Sequence, residues 1–267
     1  MDILFDEISQ TIAMYLWPLF RISAMLMTMT VFGANTTPSR VRLMLSVAFT
    51  FAIVPVLPPV ENVELFALSS VFITLQQILI GTAMGFVSLM MMQTFVLTGQ
   101  IIGMQTSLGF ASMVDPGSGE QTPVVSNTFL LLATLIFLAV DGHLLMFRMM
   151  VASFETIPVS NQGINIATYR SLAEWGGYMF GAALTMSISA IVALLLINLS
   201  FGVMTRASPQ LNIFSIGFPV TMVSGLLILW LTLGPIMAHF DEVWLAAQLL
   251  MCDILQLQCQ IDGSVAF

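Results

Sequence analysis

Lysine is missing altogether from the 267 residues, and arginine supplies all six cations: Arg21, Arg40, Arg42, Arg148, Arg170 and Arg206. So sparse a positive charge cannot neutralise a run of phosphates, which excludes nucleic-acid binding. Charged residues of either sign make up 7% of the chain, where a water-soluble domain carries about 25%. A surface this short of charge cannot be wetted by water. Most of the apolar excess, at 58% of all residues, must therefore face lipid or other subunits of an assembly. The formal charge of -8 comes from acids scattered singly through short loops and supports no inference about substrate charge.

Chemistry-bearing groupings are scarce too. The chain has no Gly-x-Ser-x-Gly elbow, no His-Glu-x-x-His and no glycine-lysine phosphate loop. Activated nucleophile, metal and nucleotide chemistry all lack their parts, so neither an enzyme nor a bound cofactor or metal is expected. The two cysteines, Cys252 and Cys259, are seven apart. On one continuous helix they would share a face about two turns from each other, too far to bridge, and they read as ordinary apolar residues. Neither histidine lies near enough in sequence to suggest a metal site. The opening Met1-Asp2-Ile3-Leu4-Phe5-Asp6-Glu7 has no cation ahead of the apolar run, which argues against a cleaved signal peptide.

What remains is long apolar sequence, in six stretches: Thr11 to Phe32, Val41 to Leu57, Leu65 to about Met104, Val124 to Val140, about Tyr178 to Val203, and Leu211 to about Met237. Each approaches or exceeds the ~20 residues that a helix needs to cross a bilayer. No ten-residue alternating pattern of the barrel kind occurs, so helix is expected throughout. The breaks carry turn residues, among them Gly33 to Pro38, Pro55 with Pro58-Pro59, Asp115 to Gly119, Pro158 to Gly163, and Ala207-Ser208-Pro209. The expected fold is an all-α membrane protein, one domain of about six hydrophobic helices. Arginines bias loops to the cytoplasm, which puts Arg40, Arg42 and Arg206 inside. The N-terminus, Glu61 and Glu64, the segment from Asp141 to Arg170, and Asp241 with Glu242 then fall outside.

The third stretch stands apart. From Leu65 to Val114 there are fifty residues without a formal charge, too many for one span and with no charged turn to make two. It is expected to bend or re-enter. Polar and small residues thicken toward its end, including Gln93, Thr94, Thr98, Gln100, Gln105, Thr106 and Ser107. Irregular backbone at membrane depth is tolerated only where protein or a water-filled cavity completes its hydrogen bonds, which places this end inside an assembly near a pore axis.

Several residues admit a functional reading beside plain packing. Gly81-xxx-Gly85 and Gly99-xxx-Gly103 suit close helix approach. The 21 methionines fit ordinary packing, with Met104 and Met113 as the two candidates for an adaptable gasket. Arg21 lies mid-way along the first stretch, where a charge costs about 2.5 to 3.5 kcal/mol on insertion scales, so it needs a carboxylate or carbonyl partner. A structural interhelical bond is preferred there to an ion relay. Asp141-Gly142-His143, with Arg148 and Glu155, reads as a solvated helix end in preference to a proton path.

Two longer segments carry a resemblance. They are Gly99-Gln100-Ile101-Ile102-Gly103-Met104-Gln105 leading to Leu108-Gly109-Phe110-Ala111-Ser112-Met113-Val114-Asp115-Pro116, and Arg206-Ala207-Ser208-Pro209-Gln210-Leu211-Asn212-Ile213-Phe214 with Gly217-Phe218-Pro219. Both resemble the FliR family of type III export-gate proteins of the bacterial flagellum, whose counterparts serve injectisomes. The resemblance implies one subunit that closes a ring with FliP and FliQ, with FlhB and FlhA as further partners, in the inner membrane at the flagellar basal body. It implies a FliP-like N-terminal part, residues 1–170, joined to a FliQ-like C-terminal hairpin and tail, residues 171–267. Arg206, Pro209, Gln210 and Asn212 would lie at the hairpin tip. Leu108, Gly109, Phe110, Ala111, Ser112, Met113, Val114, Asp115 and Pro116 would plug the channel, with Phe110 and Met113 as apolar stoppers. The clients would be unfolded flagellar export substrates, driven by the proton gradient and a cytosolic ATPase. The rival expectation is an ion-coupled secondary transporter with Arg21, Asp141 and His143 as relay residues. Such a carrier would have two hydrophobic halves of like pattern, and no such repeat is visible.

Overall fold

The computed structural model describes residues 2–33, 37–58, 67–106, 123–160, 166–207, 213–257 and 259. Among these the regular structure is helical: α1 (Asp2–Thr28), α2 (Thr30–Gly33), α3 (Ser39–Ile53) with a 3₁₀ turn over Val54–Val56, α4 (Leu68–Gln105), α5 (Val124–Ala139), α6 (Gly142–Thr156), α7 (Ile166–Ala207), α8 (Ile213–Leu233) and α9 (Ile236–Leu255). Four helices are long and apolar enough to cross a membrane, or up to six spans if each bent pair, α5 with α6 and α8 with α9, is one. The chain is an all-α membrane protein.

Between Leu68 and Gln105 the third apolar stretch runs as a single helix of 38 residues, roughly 57 Å at the usual rise, and residues 107–114 of the stretch lie outside the described residues. Its polar residues do not break the backbone, because their hydroxyls turn back onto their own helix. Thr98 Oγ1 donates to the Thr94 carbonyl at 2.9 Å, and Thr106 Oγ1 donates to Gly103 at 3.0 Å. Thr94, Thr98 and Thr106 are buried, and the hydroxyls of Thr98 and Thr106 are satisfied within their own helix.

Two helices were not anticipated. The segment after Asp141, expected as an outside loop, holds α6, whose Met146, Met149, Met150, Ser153 and Phe154 are all buried. That spacing of three and four is a helical stripe which the flanking His143, Arg148 and Glu155 obscured. Asp241 and Glu242, expected beyond the last apolar stretch, lie inside α9, where Phe240, Val243, Ala247, Leu250, Met251 and Ile254 form the buried stripe. The helix α7 also starts at Ile166 and not near Tyr178, so position 171 falls within it.

The chain forms two compact units that interleave along the sequence. The first comprises Met1–Met90, Val140–Gly176 and Leu245–Phe267, the second Met91–Ala139 and Gly177–Trp244. In the first, α1 packs on α3, and α4 approaches α1 at backbone distance. A β-carbon at Gly81 would collide with the Arg21 carbonyl oxygen, and one at Gly85 would collide with Thr28 Oγ1. In the second unit, a β-carbon at Gly99 would sit 2.6 Å from Ser126 Cα of α5, whereas at Gly103 the nearest atom is 3.6 Å away. Three of the four glycines in the two spaced pairs are thus required by contact, and Gly103 is not. Phe95 stacks on Phe240 at 5.8 Å between centroids, and Phe137 meets Trp244 edge-on at 5.2 Å.

Many methionines pack inward: Met25, Met29, Met90, Met91, Met92, Met149 and Met150 are buried. By contrast one side of α7 is bare. Phe180, Leu184, Ile188, Val192, Leu199 and Val203 are exposed at helical spacing, and Trp230 on α8 is 72% exposed. Water cannot face such a stripe, so lipid or another subunit covers it.

The glycine contacts make a direct prediction. Gly81→Leu or Gly85→Leu inserts a side chain into occupied space and costs about 1–3 kcal/mol or more. Gly103→Ala enters ordinary contact distance and leaves stability near wild type. Thermal unfolding midpoints of the purified protein in detergent, compared across the three variants, check the ranking.

Candidate functional site

Arg21 is fully buried in the middle of α1. Its guanidinium makes four hydrogen bonds: Nε to Gln77 Oε1 at 2.7 Å, Nη1 to the Ser153 carbonyl and to Ser153 Oγ, both at 3.0 Å, and Nη2 to the Ile157 carbonyl at 2.9 Å. The face of Phe154 lies 4.1 Å from Cζ. Hydrogen bonds to a charged group are worth about 1.5–3 kcal/mol each, and four of them outweigh the ~2.5–3.5 kcal/mol insertion cost of a mid-span arginine.

The partners explain themselves from the helix geometry. Gln77, Gly81 and Gly85 fall four apart on one face of α4, so the side chain that receives Arg21 and the glycines that admit α1 share a stripe. Ser153 and Ile157 close the C-terminal turn of α6, where the helix dipole is negative; the Ser153 carbonyl already accepts the Ile157 N–H at 3.0 Å and takes Arg21 as a second donor. Arg21 therefore caps α6 while gripping α4. None of its partners is a carboxylate, and no hydrogen bond joins it to Asp141 or His143 among the described residues.

Asp141 sits at the left-handed turn that opens α6, with φ of 56°. His143 Nδ1 is buried without a hydrogen-bond partner, and Asp141, Arg148 and Glu155 form no ion pair among the described residues. The four ionisable groups of this segment are thus neighbours in sequence without pairing locally. Among the described residues no cluster of metal-binding side chains occurs.

The segment expected as a plug, Leu108 to Pro116, lies outside the described residues, as do Pro209, Gln210 and Asn212 of the expected hairpin tip. Arg206 is exposed in the last turn of α7, where a cation suits the helix dipole. The two ends that carry residues 107–122 are described. The last turns of α4 are held to the first turn of α5 through Gly99 and Ser126, and a β-carbon at Gly225 of α8 would lie 2.6 Å from Thr106 Cβ. Met104 is 69% exposed, and Met113 lies outside the described residues.

The profile of bacterial export proteins, family 1, matches residues 12–247. The chain belongs to the FliR family of bacterial export proteins. It is similar to flagellar biosynthetic protein FliR of Escherichia coli (strain K12), 37% identical over 229 residues, covering 86% of this chain and 87% of that protein. With the protein of that name from Pectobacterium carotovorum subsp. carotovorum it is 35% identical over 244 residues, 91% and 93% of the two chains. With that from Aquifex aeolicus (strain VF5) it is 30% identical over 216 residues, 80% and 83%. Membership of the FliR family and the apolar helices together locate the chain in a membrane.

Sequence reasoning identified Arg21 but not its acceptors, because Ser153 and Ile157 lie in a helix hidden behind charged flanks. Gln77 could have been found, since it is the amide one turn before Gly81 on the face that admits α1.

Replacing Arg21 tests the cap. Arg21→Met takes the Arg21 donors from Gln77 Oε1 and the Ile157 carbonyl and costs about 3–5 kcal/mol, whereas Arg21→Lys retains part of the charge-assisted bonding and is milder. The amount of protein in the membrane fraction and its resistance to limited proteolysis fall in the order wild type, Lys, Met.

Proposed function

We propose that the chain is a subunit of the flagellar type III protein export gate in the bacterial inner membrane, at the flagellar basal body. It would close a ring with FliP and FliQ, next to FlhB and FlhA, and conduct unfolded flagellar proteins without catalysing a reaction itself. The observation that carries this reading is the likeness to flagellar biosynthetic FliR proteins over more than four-fifths of the chain.

The physical features support it. The bare apolar sides of α7 and α8 suit burial against sister subunits. On this reading residues 1–170 form the FliP-like part and residues 171–267 the FliQ-like hairpin and tail, with Arg206 to Asn212 at its cytoplasmic tip. Residues 108–116 are the plug. This segment carries no charge before Asp115, so it presents no fixed electrostatic preference to a passing chain. Gly109 and Gly117 give the backbone freedom to swing aside. The helices on either side are anchored by backbone-distance contacts, so movement would be confined to the loop between them. Arg21, with its donors committed to neutral acceptors, serves assembly on this reading and not ion transport.

Shortening Gly109 to Asp115 in the assembled gate tests the plug. Passive ion leak across the inner membrane rises severalfold above wild type, read by fluorescence of a potential-sensitive dye. Leak at the wild-type level refutes the assignment.

A further inference from the structure

The helix α9 ends at Leu255 and the chain reverses immediately. Gln256 takes a left-handed φ of 54°, its N–H donates to the Asp253 carbonyl at 3.3 Å, and the Leu257 N–H donates to the Cys252 carbonyl at 2.9 Å. This paired pattern is a Schellman cap made by backbone groups alone. It also corrects the expectation that Cys252 and Cys259 cannot meet. That expectation assumed one continuous helix, but the helix stops between them, and the reversal brings their Cα atoms to 6.1 Å, with the two sulfurs bonded. They are the only cysteines in the chain, so neither has another partner within it.

The side of the membrane follows from charge. Arg206 ends α7 and is the last cation in the sequence. Between it and the cysteine pair lies the bent pair of α8, 21 residues without a charge, and α9, counted together as one crossing. Beyond α8 the only charged side chains are acidic, namely Asp241, Glu242, Asp253 and Asp262. With Arg206 held in the cytoplasm, the end of α9 faces the opposite compartment. In bacteria that compartment is the one in which disulfides form and persist.

We propose that Cys252–Cys259 is an oxidative modification site, a structural disulfide installed on the outer face of the membrane by exchange with a disulfide-bonded thiol oxidase. A thiolate of one cysteine attacks the oxidase disulfide, forming a mixed disulfide and releasing one oxidase thiolate. The second cysteine then displaces the remaining oxidase sulfur. Two protons and two electrons pass from the cysteine pair to the oxidase, which leaves as a dithiol. The bridge ties Cys259 to a helical turn whose Met251, Ile254 and Leu255 are buried. This inference needs only the membrane orientation and is independent of the plug.

The test uses the full chain produced with its natural partners. Cells are quenched in acid, free thiols are blocked with N-ethylmaleimide, and the protein is then reduced and treated with a polyethylene-glycol maleimide. Two adducts appear in wild-type cells, and none appears in cells lacking their extracytoplasmic thiol oxidase. Absence of adducts in wild-type cells means that the thiols were free, and overturns the proposal. The orientation is read separately on Cys252→Ser, which leaves Cys259 alone. A membrane-impermeant maleimide labels it from outside intact spheroplasts, and any labelling that requires permeabilisation, or fails altogether, overturns the outward placement. Adducts in wild-type cells do not depend on the variant folding, so the two arms fail independently, and neither bears on ion leak.

Discussion

Backbone-to-backbone approach of α4 and α1 is the constraint on which the first compact unit depends. In a hydrocarbon solvent there is little apolar gain in bringing two helices together, since lipid tails are as apolar as leucine. What association gains comes from close van der Waals contact and from polar groups that find partners only when helices touch. Gly81 and Gly85 supply the first by exposing bare backbone to Arg21, Met25 and Thr28. The second follows from it, because only at that separation does the guanidinium of Arg21 reach Gln77 on the same face of α4. Widening the gap by a side chain would therefore cost the packing and the hydrogen bond together.

The long helices set a second constraint. A helix of roughly 57 Å, like α4, would need to tilt by nearly 60° to fit wholly within a hydrocarbon layer of about 30 Å, well beyond the usual range. The 42 residues of α7 are longer still. Parts of both must stand outside the hydrocarbon, and the apolar residues there require protein cover. That is consistent with a chain built for an assembly, in which hydropathy marks surfaces to be covered and not simply depth in a bilayer.

Much of this was legible from residue order. Proline and glycine at the breaks marked the ends of α3 and the start of α5, and the spaced glycines pointed to close helix contacts. Two classes of feature were hidden. The helices α6 and α9 carry acids, arginine or histidine on their outer sides, so a reading that sought uninterrupted apolar runs took them for loops, although their buried stripes recur every three or four residues. Local hydrogen bonding was the other blind spot. Threonine hydroxyls that bond back to their own helix made the end of α4 look irregular, and the reversal at Gln256 uses a residue type that gives no sign of a left-handed turn. The residues expected to plug the channel were noticeable for lacking charge, a property that says where a segment is tolerated but nothing about its conformation.

Arg21 has a consequence for how the chain is made. Its acceptor Ser153 lies 132 residues later in the sequence. At a synthesis rate of about 5–20 residues per second, the first helix waits roughly 7–26 seconds before that acceptor has even been polymerised. For that interval the arginine must be hydrated, held near the headgroups or sheltered by the insertion machinery. A chain truncated before α6 can satisfy Nε through Gln77 but leaves both Nη atoms without their acceptors, so a half-partnered cation in the first helix distinguishes an unfinished copy from a complete one, with no dedicated signal needed.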